Sequence, residues 1–261
     1  MKQIVCCLIL LSLGSCMRLK LKTDVTQLNR IYQIRPGQTL YALDKKGQVE
    51  PKRLTKLAEA ALYERDDTLY AEFRPKSLPT PDNNRQTLDQ ADSASVLFYY
   101  FSPRPDQLEQ KSPWFSYQLT TFDIDLFTIP FKYRFGTGGR PGELSTTPNL
   151  GAYFGLRYDR GRYRNVYLRR ERRADIQSFS FGFGGIFSLN PVSMNAFDTN
   201  GLVADEYEAL GLNYGVATIV GYKALTVGLA VGFENLADRN NTNWIYRQKP
   251  WLGLTVGLNL N

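Results

Sequence analysis

The stretch LTVGLAVGF at residues 225–233 sets a large apolar residue at every second position, and LGLTVGLNL at 252–260 repeats the pattern. A period of two is that of extended chain, whose successive side chains leave on opposite faces, and nine residues is a common strand length. Three settings give such alternation: a half-buried sheet in a soluble domain, a lipocalin-like barrel with an apolar interior, and a membrane barrel with an apolar exterior. The opposite face decides among them. It carries Thr226, Gly228, Ala230 and Gly232 in the first stretch, and Gly253, Thr255, Gly257 and Asn259 in the second, with no charge in either. A water-facing sheet surface ordinarily bears Lys, Glu or Asp, which keep it soluble and guard its edges. Small neutral residues suit the cramped inside of a narrow barrel. Leu225, Val227, Leu229, Val231 and Phe233 then face lipid, as do Leu252, Leu254, Val256, Leu258 and Leu260. Tilted strands of about 9–11 residues cross a bilayer.

Working outward, six more stretches read as strands: TLYAEFR at 68, SVLFYYF at 95, FSYQLTTFDIDLFTIPFKYRF at 115, NLGAYFGLRY at 149, IQSFSFGFGGIFSL at 176 and NYGVATIVGY at 213. The count is then about eight, the smallest common size of a bacterial membrane barrel. Only two residues separate Tyr222 from Leu225, as expected of a tight periplasmic turn. Alternation puts 75–94, 136–148, 190–212 and 236–250 on the outer side, and all are rich in turn-forming residues. The connections at 103–114 and 159–175 are long for periplasmic turns, and strand extensions into the periplasm reconcile them. Phe135, Phe187, Tyr214, Phe233 and Trp251 fall at the outer strand ends, and Tyr158, Phe179 and Tyr222 at the inner ends, as interfacial girdles require.

Residues 16–66 differ in character. IYQIRPGQTLYALDKKG at 31–47 reads as two short strands around a turn, with Pro36 and Gly37 at its centre. PKRLTKLAEAALYERDD at 51–67 places Leu54, Leu57, Ala58, Ala61 and Leu62 at helical spacing behind Pro51. The expected fold is therefore mainly β: an antiparallel transmembrane β-barrel of about eight strands over 67–261, preceded by a small α+β segment.

MKQIVCCLILLSLGSC at 1–16 has a lysine, an apolar run and small residues before Cys16, the form of a secretory signal over 1–15. LGSC at 13–16 resembles the bacterial lipobox, which implies a lipid anchor on Cys16. The chain has three cysteines, Cys6, Cys7 and Cys16, so only Cys16 outlasts cleavage and no disulfide framework is available. The formal net charge of +7 comes from 32 basic and 25 acidic residues.

With no histidine in the chain, Ser-His and Cys-His nucleophile pairs and His-containing metal sites are excluded. No spacing argues for a carboxylate-only or Ser-Lys mechanism, so neither catalysis, nor a cofactor, nor a metal is expected. The densest charge cluster sets Arg160, Arg162, Arg164, Arg169, Arg170, Arg172 and Arg173 against Asp159, Glu171 and Asp175. Two readings are open: a contact surface for anionic lipid head groups or an acidic partner, or a solvated hairpin paired across its strands. Nucleic acid is not an expected partner of an exported protein. Lys132 and Arg134 alternate with Phe131, Tyr133 and Phe135 and so point into the barrel, at the same level as Glu234.

Two resemblances add to this. FTIPFKYRF at 127–135 and KPWLGLTVGLNLN at 249–261 are similar to outer-membrane β-barrel proteins of the Bacteroidota, which implies a barrel in the outer membrane and carries no activity with it. YQIRPGQTLYAL at 32–43 resembles the opening of a LysM module through Tyr32, Gly37, Gln38, Thr39 and Leu40, with Gln38 in place of the usual acid. That second resemblance implies binding to peptidoglycan. The expectation is a lipid-anchored outer-membrane barrel with a structural or interaction role. The rivals are a periplasmic peptidoglycan-binding lipoprotein and a soluble lipocalin-like carrier of an apolar ligand.

Overall fold

The computed structural model describes residues 30–43, 48–65, 68–81, 86–101, 109–137, 140–168, 172–222 and 225–258. Cys16, Arg169 and Arg170 lie outside the described residues. The described chain forms one antiparallel sheet of fourteen strands. The first seven are β1 (Ile31–Ile34), β2 (Thr39–Leu43), β3 (Val49–Arg53), β4 (Ala58–Arg65), β5 (Thr68–Phe73), β6 (Val96–Tyr99) and β7 (Glu109–Lys111). The rest are β8 (Phe115–Arg134), β9 (Glu143–Ser145), β10 (Leu150–Leu168), β11 (Arg172–Met194), β12 (Tyr207–Tyr222), β13 (Leu225–Leu236) and β14 (Pro250–Leu258).

Six of these strands make a partial ring in the order β8-β14-β13-β12-β11-β10. β8 pairs β10 from Phe115 to Thr128 and β14 from Phe127 to Arg134, the two ladders overlapping at Phe127 and Thr128. The expected eight becomes six because TLYAEFR and SVLFYYF pair elsewhere. β5 joins β4, and β6 joins β5 and β2, so both lie in a separate wing of order β3-β2-β6-β5-β4-β1. That wing meets the ring at Gln33 and Ile34 of β1, opposite Gln118 and Tyr117 of β8.

The helix expected after Pro51 is absent. Residues 49–53 and 58–65 are strands, and β4 buries Ala58, Ala60 and Leu62 at a period of two. Its alanines favour a helix intrinsically, but pairing with β1 and β5 on both edges outweighs that small preference. Among its described residues the expected α+β segment of 16–66 is thus all-β; short 3-10 turns come only later, at Pro75–Ser77 and Gln90–Ala94. Gly37, with φ of +87°, makes the β1–β2 turn that Pro36 and Gly37 foreshadow.

The wing sits at the near end of the ring, where β8, β10 and β11 run on past it. Leu62, Leu69, Leu78 and Leu88 of the wing pack with Phe115, Tyr117 and Tyr163 of those extensions in one core. The connection at 159–175 is therefore strand extension through Leu168 of β10 and from Arg172 of β11, whereas of 103–114 only 109–114 are described, and their one strand is the short β7 paired with β10. The segment 75–94, expected with the outer loops, lies at this near end: Leu78 and Leu88 are buried in the wing core. The far end gathers the connections after β8, β11 and β13. There Met194, Leu236, Trp244 and Tyr246 form a cap, Arg140 stacks on Phe197 at 4.2 Å, and the Ile245 N–H donates to the Asp198 carbonyl.

Candidate functional site

Each ring strand divides its faces as the opening stretch leads one to expect. Along β13 the exposed residues are Leu225, Val227, Leu229, Val231 and Phe233, while Thr226, Gly228, Ala230 and Gly232 are buried. The same outward rows run through Phe122, Ile124 and Leu126 on β8, Phe154 and Leu156 on β10, Phe181 and Phe183 on β11, Val216 and Val220 on β12, and Leu252 on β14. The result is an exposed apolar band on all six strands. Monomeric soluble proteins rarely expose a contiguous patch of more than a few hundred Å². Phe135, Phe187, Tyr214 and Phe233 rim the band at the far end, and Tyr158, Phe179 and Tyr222 at the near end. Trp251 is the exception: it points inward and is fully buried. Gly232 makes room for it, since a Cβ there would lie 2.7 Å from the indole.

The interior is filled in layers. At mid-height Phe127, Ile129, Tyr153, Ile186, Ile219 and Trp251 pack together. A void of about 10 Å³ bounded by Asp125, Tyr153, Thr226 and Thr255 is close to the room one water needs. At the far end Glu234 Oε1 accepts from Lys132 Nζ at 2.7 Å, and its Oε2 accepts from Arg134 Nε at 2.9 Å. Lys132 Nζ also donates to Asn213 Oδ1 at 3.1 Å, and Asn213 Nδ2 donates to Asn190 Oδ1 at 2.6 Å. Trp244 and Tyr246 cover Arg134 at 5.5 and 5.6 Å. A β-bulge positions the cluster. Thr128 pairs Val256 and Phe131 pairs Leu254, so Ile129 and Pro130 together face Thr255. The extra residue switches the inward parity of β8 from Phe127 and Ile129 to Lys132 and Arg134, and proline, having no N–H to leave unpaired, suits that position.

A second charged layer, at the near end, is one that sequence reasoning missed. Arg157 donates to Asp123 Oδ2 and to Asp159 Oδ1, both at 2.9 Å, and lies 3.6 Å from Asp125. Its signal was the alternation itself: Asp123 and Asp125 share the inward parity of β8, and Arg157 and Asp159 that of β10.

The arginine cluster is sorted by the pleat. Arg160, Arg162, Arg164 and Arg173 share the outward face of the β10–β11 hairpin, where Arg162 faces Gln177, Arg164 faces Asp175 and Val166 faces Arg173. Arg172 turns to the other face, over Tyr167 at 5.8 Å. Trp114 lies beneath Arg162 and Arg164, at 4.4 and 4.1 Å. The residues of the LysM-like stretch build the wing: Tyr32 and Leu40 enter its core, and Gln38 clamps β8. The Ser116 N–H donates to Gln38 Oε1 at 2.5 Å, and Gln38 Nε2 donates to the Ser116 carbonyl at 2.7 Å.

Burial also affects the wing's titration. It pushes the Tyr32 hydroxyl from 10 up to about 12, and raises that of Tyr99, which donates to the Pro113 carbonyl. A folded-state value above the unfolded one means that the folded wing favours the neutral phenol. Its contribution to stability is complete below about pH 10 and is lost as the pH rises toward 12. Urea unfolding followed through this window should show stability falling, and Tyr32→Phe should flatten the fall. An equally steep fall in that variant would remove Tyr32 as its source.

Comparison of the chain with protein-family models, with curated proteins and with solved structures finds no match in any of the three.

Proposed function

We propose that this chain is an outer-membrane β-barrel lipoprotein. Its six-stranded ring crosses the bilayer, its N-terminal wing lies at the periplasmic end, and its role is structural or interactive rather than catalytic. Export by the N-terminal signal and a lipid anchor on Cys16 belong to the same reading. The observation that carries it is the exposed apolar band on all six ring strands. In water, such a surface would favour aggregation; in lipid it is the expected exterior of a barrel whose inward face is small or polar. A soluble carrier of an apolar ligand would need the opposite arrangement, with the leucines turned in around a cavity. Here the lumen is occupied by Trp251, Ile129 and Tyr153.

The test is extraction of membranes with alkaline carbonate, comparing wild type with Cys16→Ser, together with gel migration before and after heating. Both proteins should stay in the membrane pellet, and the unheated sample should migrate differently from the heated one. Complete release of Cys16→Ser into the soluble fraction would show that only the anchor holds the protein, and the spanning ring would be lost.

A further inference from the structure

On β10 the outward row changes character in one step. Phe154, Leu156 and Tyr158 belong to the apolar band, and the next residues on the same face are Arg160, Arg162 and Arg164. Neighbouring strands place Gln118 and Phe179 beside Arg160, and Tyr222 pairs Phe179. The cations therefore begin where the near-end aromatics end.

Three observations single out two of them. Arg164 is neutralised by Asp175, its Nη2 lying 2.7 Å from the carboxylate. Arg162 is held by a neutral acceptor, Gln177 Oε1, at 2.6 Å from Nη2 and 3.0 Å from Nε, and so keeps its charge. Arg160 is exposed and has neither ion pair nor hydrogen bond among the described residues. Depth gives the same selection. A strand rises about 3.4 Å per residue, and at a tilt of about 45° two residues descend about 5 Å. The head-group layer below the hydrocarbon is about 5–7 Å thick. Arg160 falls within it, and Arg162, about 10 Å below Tyr158, lies about 3–5 Å past it, within reach of its long side chain. Arg173, opposite Val166, is about 20 Å below Tyr158 along the membrane normal by the same reckoning, and so more than one Debye length of about 8 Å past the head-group layer at physiological salt.

We propose that Arg160 and Arg162 bind the phosphate of an anionic phospholipid at the near boundary of the band, with Trp114 holding the Arg162 guanidinium from below. The site rests on the membrane-spanning reading of the ring. Its chemistry is that of a phosphodiester: an anion with several acceptor oxygens, facing two guanidinium forks and an indole suited to the interface.

The experiment reconstitutes the full chain in lipid nanodiscs of phosphatidylcholine with phosphatidylglycerol and measures, by native mass spectrometry, which lipid stays bound. Wild type should retain phosphatidylglycerol in preference. Arg160→Gln and Arg162→Gln should each reduce that preference about 5-fold, the equivalent of about 1 kcal/mol per basic residue at a membrane surface. Arg160→Lys should keep most of it. Arg239→Gln with Arg247→Gln, both exposed at the opposite end, should leave it unchanged. Inorganic phosphate should compete no better than chloride at equal ionic strength; selective displacement by phosphate would assign the site to a free anion and overturn the lipid. Wild type that enters the discs without preferring either lipid, or an unchanged preference in the double Arg160→Gln, Arg162→Gln variant, overturns the site and leaves the ring intact. Wild type that never enters the discs overturns both.

Discussion

Leu229→Arg should lower stability by about 2–4 kcal/mol and deplete the protein from the membrane fraction, because it places a cation at mid-height of the exposed band, which the proposed membrane-spanning ring turns to hydrocarbon. Leu229 is 59% exposed and pairs Thr218 and Leu254 across the ladders, neither of them acidic. The inward side is governed by volume instead of charge. A Cβ on Gly228 would lie 2.4 Å from the Thr218 carbonyl oxygen and 2.7 Å from Thr255 Oγ1, so Gly228→Ser should also destabilise strongly. Gly257 has more room, its nearest contact at 3.3 Å, and Gly257→Ser should be mild. Urea unfolding from lipid vesicles measures all three. A soluble protein would treat Leu229→Arg as an exposed surface change, within about 0.5 kcal/mol of neutral. Unchanged stability with improved solubility in that variant would therefore sink the membrane assignment.

The ring was legible where two faces of one strand could be compared. At 225–233 the uncharged second face excludes most environments for the first, and the reading needs no partner strand. Lys132 and Arg134 were legible as inward for a related reason, their alternation with Phe131, Tyr133 and Phe135, although the bulge at Pro130 that sets their phase leaves only a proline as its trace. Trp251 was misread as a girdle residue, although parity puts it on the inward face with Gly253. The preference of tryptophan for interfaces pointed outward, and the space opposite Gly232 decided the matter.

What failed was information that no single strand holds. TLYAEFR and SVLFYYF were read as strands, but which neighbours they take depends on β4, which was read as a helix, and on β2, which was read as a strand with no partner named beyond β1. Ala58, Ala60, Ala61 and Leu62 satisfy helical and extended periods alike, and a short apolar run does not separate the two. The Arg157 layer was missed for the same reason, since Asp123 and Arg157 lie 34 residues apart in sequence and meet only once β8 and β10 are in register.

Glu234→Gln should destabilise the ring by about 3–5 kcal/mol, the expected loss when one member of a buried ion cluster is neutralised and its partners stay charged. Glu234 is 1% exposed and is the only carboxylate, among the described residues, bonded to Lys132. Without it, Lys132 retains only the amide oxygens of Asn213 and Asn190, at 3.1 and 3.5 Å. Arg134 retains Glu143, at 3.2 Å, but that carboxylate is 45% exposed and screened by water. Glu143→Gln should accordingly lose no more than about 1 kcal/mol. Lys132→Met in the Glu234→Gln background should restore part of the loss by removing the cation left without a counter-charge, giving a non-additive double-mutant cycle. The readout is urea unfolding from vesicles, followed by tryptophan fluorescence, since Trp244 and Trp251 lie over Arg134 and Lys132 at 5.5 and 5.9 Å and report the cluster directly. Equal losses for Glu234→Gln and Glu143→Gln would mean that water reaches the cluster freely and that the Trp244 and Tyr246 cap does not close the far end of the lumen.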